Sequence, residues 1–230
     1  MGNQYKIISV GGSIIIPKEG FDIEFLKNFR NLILKHAENG KRFILIIGGG
    51  ATCRQYQEAA RNVRELTPEE LDWIGISTTI MNASFVRMLF GDAAHSEVIT
   101  NPTKKIRTKK SILIASGWKP GCSTDMDAVL LAKQFKAKEI LNLSNIDQVY
   151  TSDPKLDSNA KPITEMPWTQ FRKEIVGDAW SPGKNAPFDP VASKLAEKLK
   201  LTVAILKGTD LKQVENAILG QPFFGTTIHP

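Results

Sequence analysis

The chain is sparing with the residues that most often announce a reactive centre. Of its 230 residues only two are cysteine and three histidine. Cys53 and Cys122 are too few for a disulfide framework and both fall in glycine-bearing loops, so reduced thiols are expected. His36, His95 and His229 all lie away from the glycine loops, which leaves no candidate for a histidine-centred proton relay. No run reaches the roughly 18 apolar residues of a membrane span. The opening Met1-Gly2-Asn3-Gln4-Tyr5-Lys6 leads into no apolar signal core. A cytoplasmic protein without a membrane partner is therefore expected. Charge of one sign is also scarce, since the net charge of +6 gives mild attraction for phosphates but falls short of a polyanion-binding tail. The one basic run, Lys104-Lys105-Ile106-Arg107-Thr108-Lys109-Lys110, carries no interleaved aromatics. It reads as a solvated connector, not a nucleic-acid surface. There is no repeat at a fixed period and no low-complexity tract.

What is present is an ordinary globular composition, 42% hydrophobic and 23% charged, consistent with one large domain. The stretch that organises it is Phe43-Ile44-Leu45-Ile46-Ile47-Gly48-Gly49-Gly50-Ala51-Thr52-Cys53-Arg54-Gln55-Tyr56. An apolar strand stops at three glycines and a helix pattern starts. Glycine lets main-chain N–H groups close on anionic oxygens, and a helix N-terminus adds partial positive charge, so the turn suits a phosphate. The same glycines also serve tight turns that bind nothing. Arg54, one helical turn on, tips the reading toward phosphate because guanidinium forks two hydrogen bonds onto it.

Strands are expected over 6–10, 111–115, 139–143 and 202–206, with a closing edge strand over 225–228. Helices are expected from Asp22 to Asn39, from the third glycine to about 64, and from the capping box Thr67-Pro68-Glu69-Glu70 through Phe90. Further helices cover 126–135, 190–200 and 211–219. Residues 154–190 are rich in proline and polar residues and read as an excursion from the core with one weak helix at 168–176. His36 is assigned to packing or solvent. This alternation predicts a mainly parallel sheet covered on both faces, with ligands beyond the strands' carboxyl ends. Gly11-Gly12-Ser13 is read as a second small-residue turn there, and Ser116 to Asp125 as a third loop feeding a helix. Ser123 and Thr124 offer hydroxyls and amides at that helix start. Asp125 is either an N-cap or a carboxylate that organises cations and magnesium around a phosphate. Asp72 either meets a sugar hydroxyl or only complements the helix dipole. After the 139–143 strand, Tyr150 suits a flat base, and Asp153 either accepts from a ribose or amino group or opens a turn.

Six pieces in this order resemble the amino acid kinase superfamily, and within it the archaeal-type UMP kinases. They are Gly11-Gly12-Ser13; Gly48-Gly49-Gly50 with Arg54 and Tyr56; Asp72-Trp73-Ile74-Gly75-Ile76; Pro120-Gly121-Cys122-Ser123-Thr124-Asp125; Asn145-Ile146-Asp147-Gln148-Val149-Tyr150-Thr151-Ser152-Asp153-Pro154; and Gly225-Thr226-Thr227-Ile228. The resemblance implies a single three-layer α/β/α sandwich over 1–230, with an acceptor part over about 1–140 and an ATP part over about 141–230. It implies UMP at Gly49, Asp72 and the loop Trp118, Lys119, Pro120, Gly121, Cys122, Ser123 and Thr124. It implies ATP, carried with Mg²⁺, at Gly11, Gly12, Ser13, Gly50, Arg54, Ser144, Asn145, Tyr150 and Asp153. Arg54, Asp125 and Gly12 are then the catalytic set, no metal is held by a dedicated protein site, and a homohexamer built as a trimer of dimers is implied. Departures exist. The first strand lacks the lysine many relatives carry, which leaves Arg54, Lys119 or Lys184 to replace its charge, and Gln148 stands where glycine is usual. A sibling kinase for another small acceptor, or a non-catalytic nucleotide-binding or storage protein of the same fold, are the competing readings.

Overall fold

The computed structural model describes residues 4–177 and 186–230. In chain order its elements are β1 (Tyr5–Val10), α1 (Gly12–Ile15), α2 (Ile23–Glu38), β2 (Arg42–Ile47), α3 (Gly50–Val63), α4 (Pro68–Phe90), β3 (Ile112–Ala115), α5 (Thr124–Phe135), β4 (Glu139–Ser144), β5 (Val149–Tyr150), β6 (Pro162–Ile163), β7 (Glu165–Pro167), α6 (Trp168–Phe171), α7 (Pro190–Lys198), β8 (Thr202–Lys207), α8 (Leu211–Leu219) and β9 (Thr226–His229). A single turn of 3₁₀ helix, Gly91–Ala93, follows α4, and a π-helical turn, Arg172–Val176, follows α6.

The main sheet runs β3-β2-β1-β4-β8-β9-β7. Its first five strands are mutually parallel, with Ile7 paired to Ile44 on one side and Ile140 on the other. Continuous apolar runs explain the centre: every residue of Phe43, Ile44, Leu45, Ile46 and Ile47 is shut off from water, as a strand covered on both faces requires. Ile7, Ile44, Ile46 and Ile205 pack toward Val129, Leu131 and Ala132 of α5 and Ala192 and Ala196 of α7. Ile8, Val10, Leu45 and Leu143 pack the other way, toward Phe25, Phe29 and Ile33 of α2, Ala83 and Val86 of α4, and Val214 and Ile218 of α8. The result is the expected three-layer α/β/α sandwich.

Local chemistry sets the helix starts. Asp22 accepts the Phe25 amide at 2.9 Å. At α4 the Thr67 hydroxyl accepts the Glu70 amide, while the Glu70 carboxylate accepts the Thr67 amide at 2.9 Å, so two orphan donors are satisfied reciprocally. His36 is buried, with Nε2 2.9 Å from Glu215 on α8.

Four expectations need correction. Gly11-Gly12-Ser13 leads into the one-turn helix α1 instead of a simple turn. α5 starts at Thr124, capped by Ser123 accepting the Met126 amide at 3.2 Å, so Asp125 is inside the helix and is not its N-cap. β9 is no edge strand: it lies between β8, to which it is antiparallel, and β7, which takes the edge. Nor is the 154–190 region wholly an excursion. Trp168, Phe171 and Phe188 are fully buried, and the Trp168 indole donates to the Leu201 carbonyl at 2.7 Å. Three large aromatics among prolines and lysines fill a core that their neighbours' composition conceals.

Because β1 has β2 on one side and β4 on the other, the chain reverses its winding direction between β1 and β4. Ligands of open parallel sheets lie outside the strands' carboxyl ends at such a point.

Candidate active site

The glycines at the ends of β1 and β2 cross at contact distance. A Cβ on Gly12 would stand 2.1 Å from the Gly50 nitrogen and 2.6 Å from the Gly48 oxygen, and one on Gly50, whose φ is +66°, would stand 2.4 Å from the Gly12 oxygen. No side chain fits there. The first duty of these glycines is thus backbone-to-backbone approach, and the amides at the start of α3 are brought beside β1 as a consequence. The Gly48 amide donates to the Val10 carbonyl at 3.0 Å and the Gly11 amide to the Leu143 carbonyl at 2.9 Å, which ties the ends of β2, β1 and β4 into one rim.

Helix α4 holds this rim from behind. The buried Asn82 amide donates to the carbonyls of Gly48 at 2.9 Å and Gly49 at 3.0 Å. Thr79 accepts the Gly117 amide at 2.9 Å, and Asp72 accepts the Gly121 amide at 2.8 Å. The glycine turn and the loop after β3 are therefore suspended from one helix. That loop ends at the N-terminus of α5, where Asp125 accepts the Asp189 amide at 3.0 Å and a hydrogen bond from Ser9 of β1. Burial pushes the Asp125 carboxyl up to about 7, against the opposing pull of the Asp189 amide. Burial likewise raises Asp127 to about 7, offset by the Cys122 thiol and the Trp118 amide.

The sequence-derived residues divide into two groups. Gly11, Gly12, Ser13, Gly49, Gly50 and residues 118–125 all sit on the one rim. Arg54, on the second turn of α3, is exposed, and it makes no hydrogen bond or ion pair among the described residues. The ammonium of Lys119 lies over the indole of Trp118, 4.4 Å from the ring centroid. Asp72 does more than complement the helix dipole, since its carboxylate holds the backbone of the loop after β3. Ser144 ends β4 beside the rim and accepts the Gly208 amide at 2.8 Å through its carbonyl. Asn145 and Asp153 are exposed, and Asp153 Oδ1 accepts the Lys155 amide at 2.9 Å, the turn-opening role. Tyr150 is half-buried in the β5–β6 hairpin. Lys184 lies outside the described residues.

Sequence reading missed Ser9, Thr79, Asn82 and Asp127, and it named Gln148 and Thr226 without seeing their fastening role. For Thr79 and Asn82 a signal existed: both interrupt the inward stripe Ile76, Ala83, Val86, Phe90 of α4, where a polar residue must answer to a partner. Gln148 is buried and donates to the Gly225 carbonyl at 3.1 Å, so this departure from glycine clamps the closing segment to the loop after β4.

Residues 4–207 match the model of the amino acid kinase family. The chain belongs to that family. Among amino acid kinases it is 32% identical over 227 residues to a uridylate kinase of Methanococcus maripaludis strain C7, an alignment covering 97% of this chain and 99% of the relative. It is 31% identical over 219 residues to that of Methanocaldococcus jannaschii, covering 93% and 96%. The solved uridylate kinase of Archaeoglobus fulgidus superposes with a TM-score of 0.82 at 27% identity, over 98% of this chain and 99% of that one. A UMP kinase of Bacillus anthracis, at 21% identity and TM-score 0.77, shares the amino acid kinase fold.

Proposed function

We propose that this amino acid kinase is a UMP kinase, transferring the γ-phosphoryl group of ATP to UMP. An oxygen of the UMP phosphate bonds to the γ-phosphorus as the bond to the β–γ bridging oxygen breaks, and UDP and ADP leave. The observation that carries the reading is the single rim on which the Gly12–Gly50 crossing, the start of α3 and the start of α5 are fastened together by Ser9 and Asp125. Two phosphates held in line between helix N-termini need charge neutralisation and positioning, with no nucleophilic side chain.

UMP is assigned to Gly49, Asp72 and residues 118–124, within the acceptor part at about 1–140. ATP is assigned to Gly11, Gly12, Ser13, Gly50, Arg54, Ser144, Asn145, Tyr150 and Asp153. Arg54 is the phosphate-binding cation. Its exposure and lack of a partner among the described residues leave the guanidinium available to phosphate oxygens, and it takes over the charge that a first-strand lysine supplies elsewhere; that strand here presents Ser9, whose hydroxyl is committed to Asp125. Magnesium arrives with ATP and neutralises donor-phosphate charge when bound. The rim's hard oxygen donor, Asp125, suits an ion that takes most of its ligands from phosphate and water. The broader proposal is a cytoplasmic hexamer in pyrimidine nucleotide synthesis. The assembly is supported by Trp73, Met81 and Met88, which stand exposed along α4 at 48%, 51% and 68% and need cover.

The test is ADP release from ATP and Mg²⁺ with a panel of nucleoside monophosphates. UMP-dependent turnover is expected. Turnover with a different small acceptor alone would make the protein a sibling kinase, and nucleotide binding without turnover would make it a storage or sensing protein.

A further inference from the structure

Asp127 belongs to no assigned site. It lies on the first turn of α5 and is 0% exposed. Side chains on a helix lean toward its N-terminus, so this carboxylate reaches back over the loop that enters the helix. There Oδ1 accepts the Cys122 thiol at 3.7 Å, and the Trp118 amide also hydrogen-bonds the carboxylate. Oδ2 has no hydrogen-bond partner among the described residues. A buried carboxylate given one weak thiol donor, one amide and an oxygen that accepts nothing is a poor stability element, because its desolvation is only partly offset. Its neighbours do not repair this: Asp125 on the same helix is of like charge, and Lys119 stands over Trp118.

The other fastenings of the loop act elsewhere. Thr79 takes Gly117 and Asp72 takes Gly121, whereas the Trp118 amide and the Cys122 thiol turn to Asp127, and the Cys122 amide closes the loop on itself by donating to the Lys119 carbonyl at 3.1 Å. We propose that Asp127 is a positioning residue for the acceptor, holding residues 118–122 from inside so that Lys119 and the start of α5 are presented to the acceptor phosphate. This inference rests on the acceptor reading of that loop. It predicts a separation that an ordinary structural residue does not show, namely that loss of the carboxylate strengthens the fold and weakens the acceptor site.

The experiment compares wild type with Asp127→Val and Asp127→Asn by thermal unfolding, by steady-state kinetics, and by amide hydrogen exchange over 117–122. For Asp127→Val the expected result is a raised Tm and a KM for UMP higher by about five- to tenfold, the scale of one or two lost hydrogen bonds. The KM for ATP and kcat should change less than about twofold, and exchange over 117–122 should quicken relative to the rest of α5. Asp127→Asn, which keeps an acceptor oxygen, should recover part of the UMP KM. A fall in Tm, a failure to fold, or equal rises in both KM values would overturn the proposal. If the wild type gives no turnover with UMP, the UMP assignment fails instead, and the exchange comparison alone decides whether Asp127 holds the loop.

Discussion

The two parts of the rim proposed to take acceptor and donor are built on different principles. On the proposed acceptor side, Asn82, Thr79, Asp72 and Asp127 reach in from two helices to hold two loops, beside a crossing of glycine backbones that both sides share. On the donor side, the base of the loop after β4 is clamped by Gln148 and by Thr226, which accepts the Val149 amide at 2.9 Å and donates to the Ile163 carbonyl. Beyond that base the chain relies on local turns: Asp153 on Lys155, Asp157 on Ser152 and Asn159, with Leu156 87% exposed. The proposed acceptor side is preorganised by buried, long-range bonds from Asn82 and Thr79, whereas the tip of the proposed donor loop has few contacts to oppose a rearrangement around a nucleotide.

The sharpest way to break the comparison is Gly12→Ala. A methyl group 2.1 Å from the Gly50 nitrogen meets backbone on both sides, so a loss of about 3 kcal/mol or more, or failure to fold, is expected in denaturant unfolding. Mild destabilisation would mean that the two turns are not locked together. Arg54→Ala should next lower kcat by about a hundredfold or more with Tm unchanged, as loss of one preorganised charge donor does. Near-normal turnover would remove Arg54 from the chemistry.

On the donor side, Thr226→Val leaves the buried Val149 amide without its acceptor and should cost about 1 to 3 kcal/mol. A rise in the KM for ATP larger than that for UMP should accompany it. If both rise equally, the clamp does not belong to the donor side. A pH slope tests the burial behind the rim. Asp125 and Asp127 titrate near 7 in the folded chain against about 3.8 when unfolded, so between those values the native state holds protons that the unfolded state has released. Stability from this pair therefore falls as pH rises through that window, and Tm should be higher near pH 5 than near pH 8. Glu70, lowered from 4.5 to about 2 by Arg64 and Thr67, acts below pH 5 and does not mask the comparison of pH 5 with pH 8. A rising Tm across the same range would contradict the burial of the two carboxyls.

Much of this architecture is legible in the sequence because it is local. Asp22, the Thr67–Glu70 box and the glycine-ended apolar strands write their structure into neighbouring positions, and the boundaries of α4 and α8 follow from spacing alone. What stays hidden depends on distant partners. Nothing near Gly12 says that its neighbour is Gly50, and the pairing of β9 between β8 and β7 cannot be read from its own residues. Trp168 and Phe188 are masked by the polar composition around them. The rim's gathering of residues was foreseeable from glycine-bearing strand ends; its fastening by Asn82, Thr79 and Ser9 was not, because each acts across the fold.

The central claim is that two distinct phosphate positions share one rim, and amide hydrogen exchange with each nucleotide alone tests it most directly. UMP should slow exchange at 118–124, ATP with Mg²⁺ should slow it at 11–13 and 144–153, and the glycine turn between them should respond to either. Protection of 118–124 by ATP alone, or by UMP only outside that loop, would contradict the account.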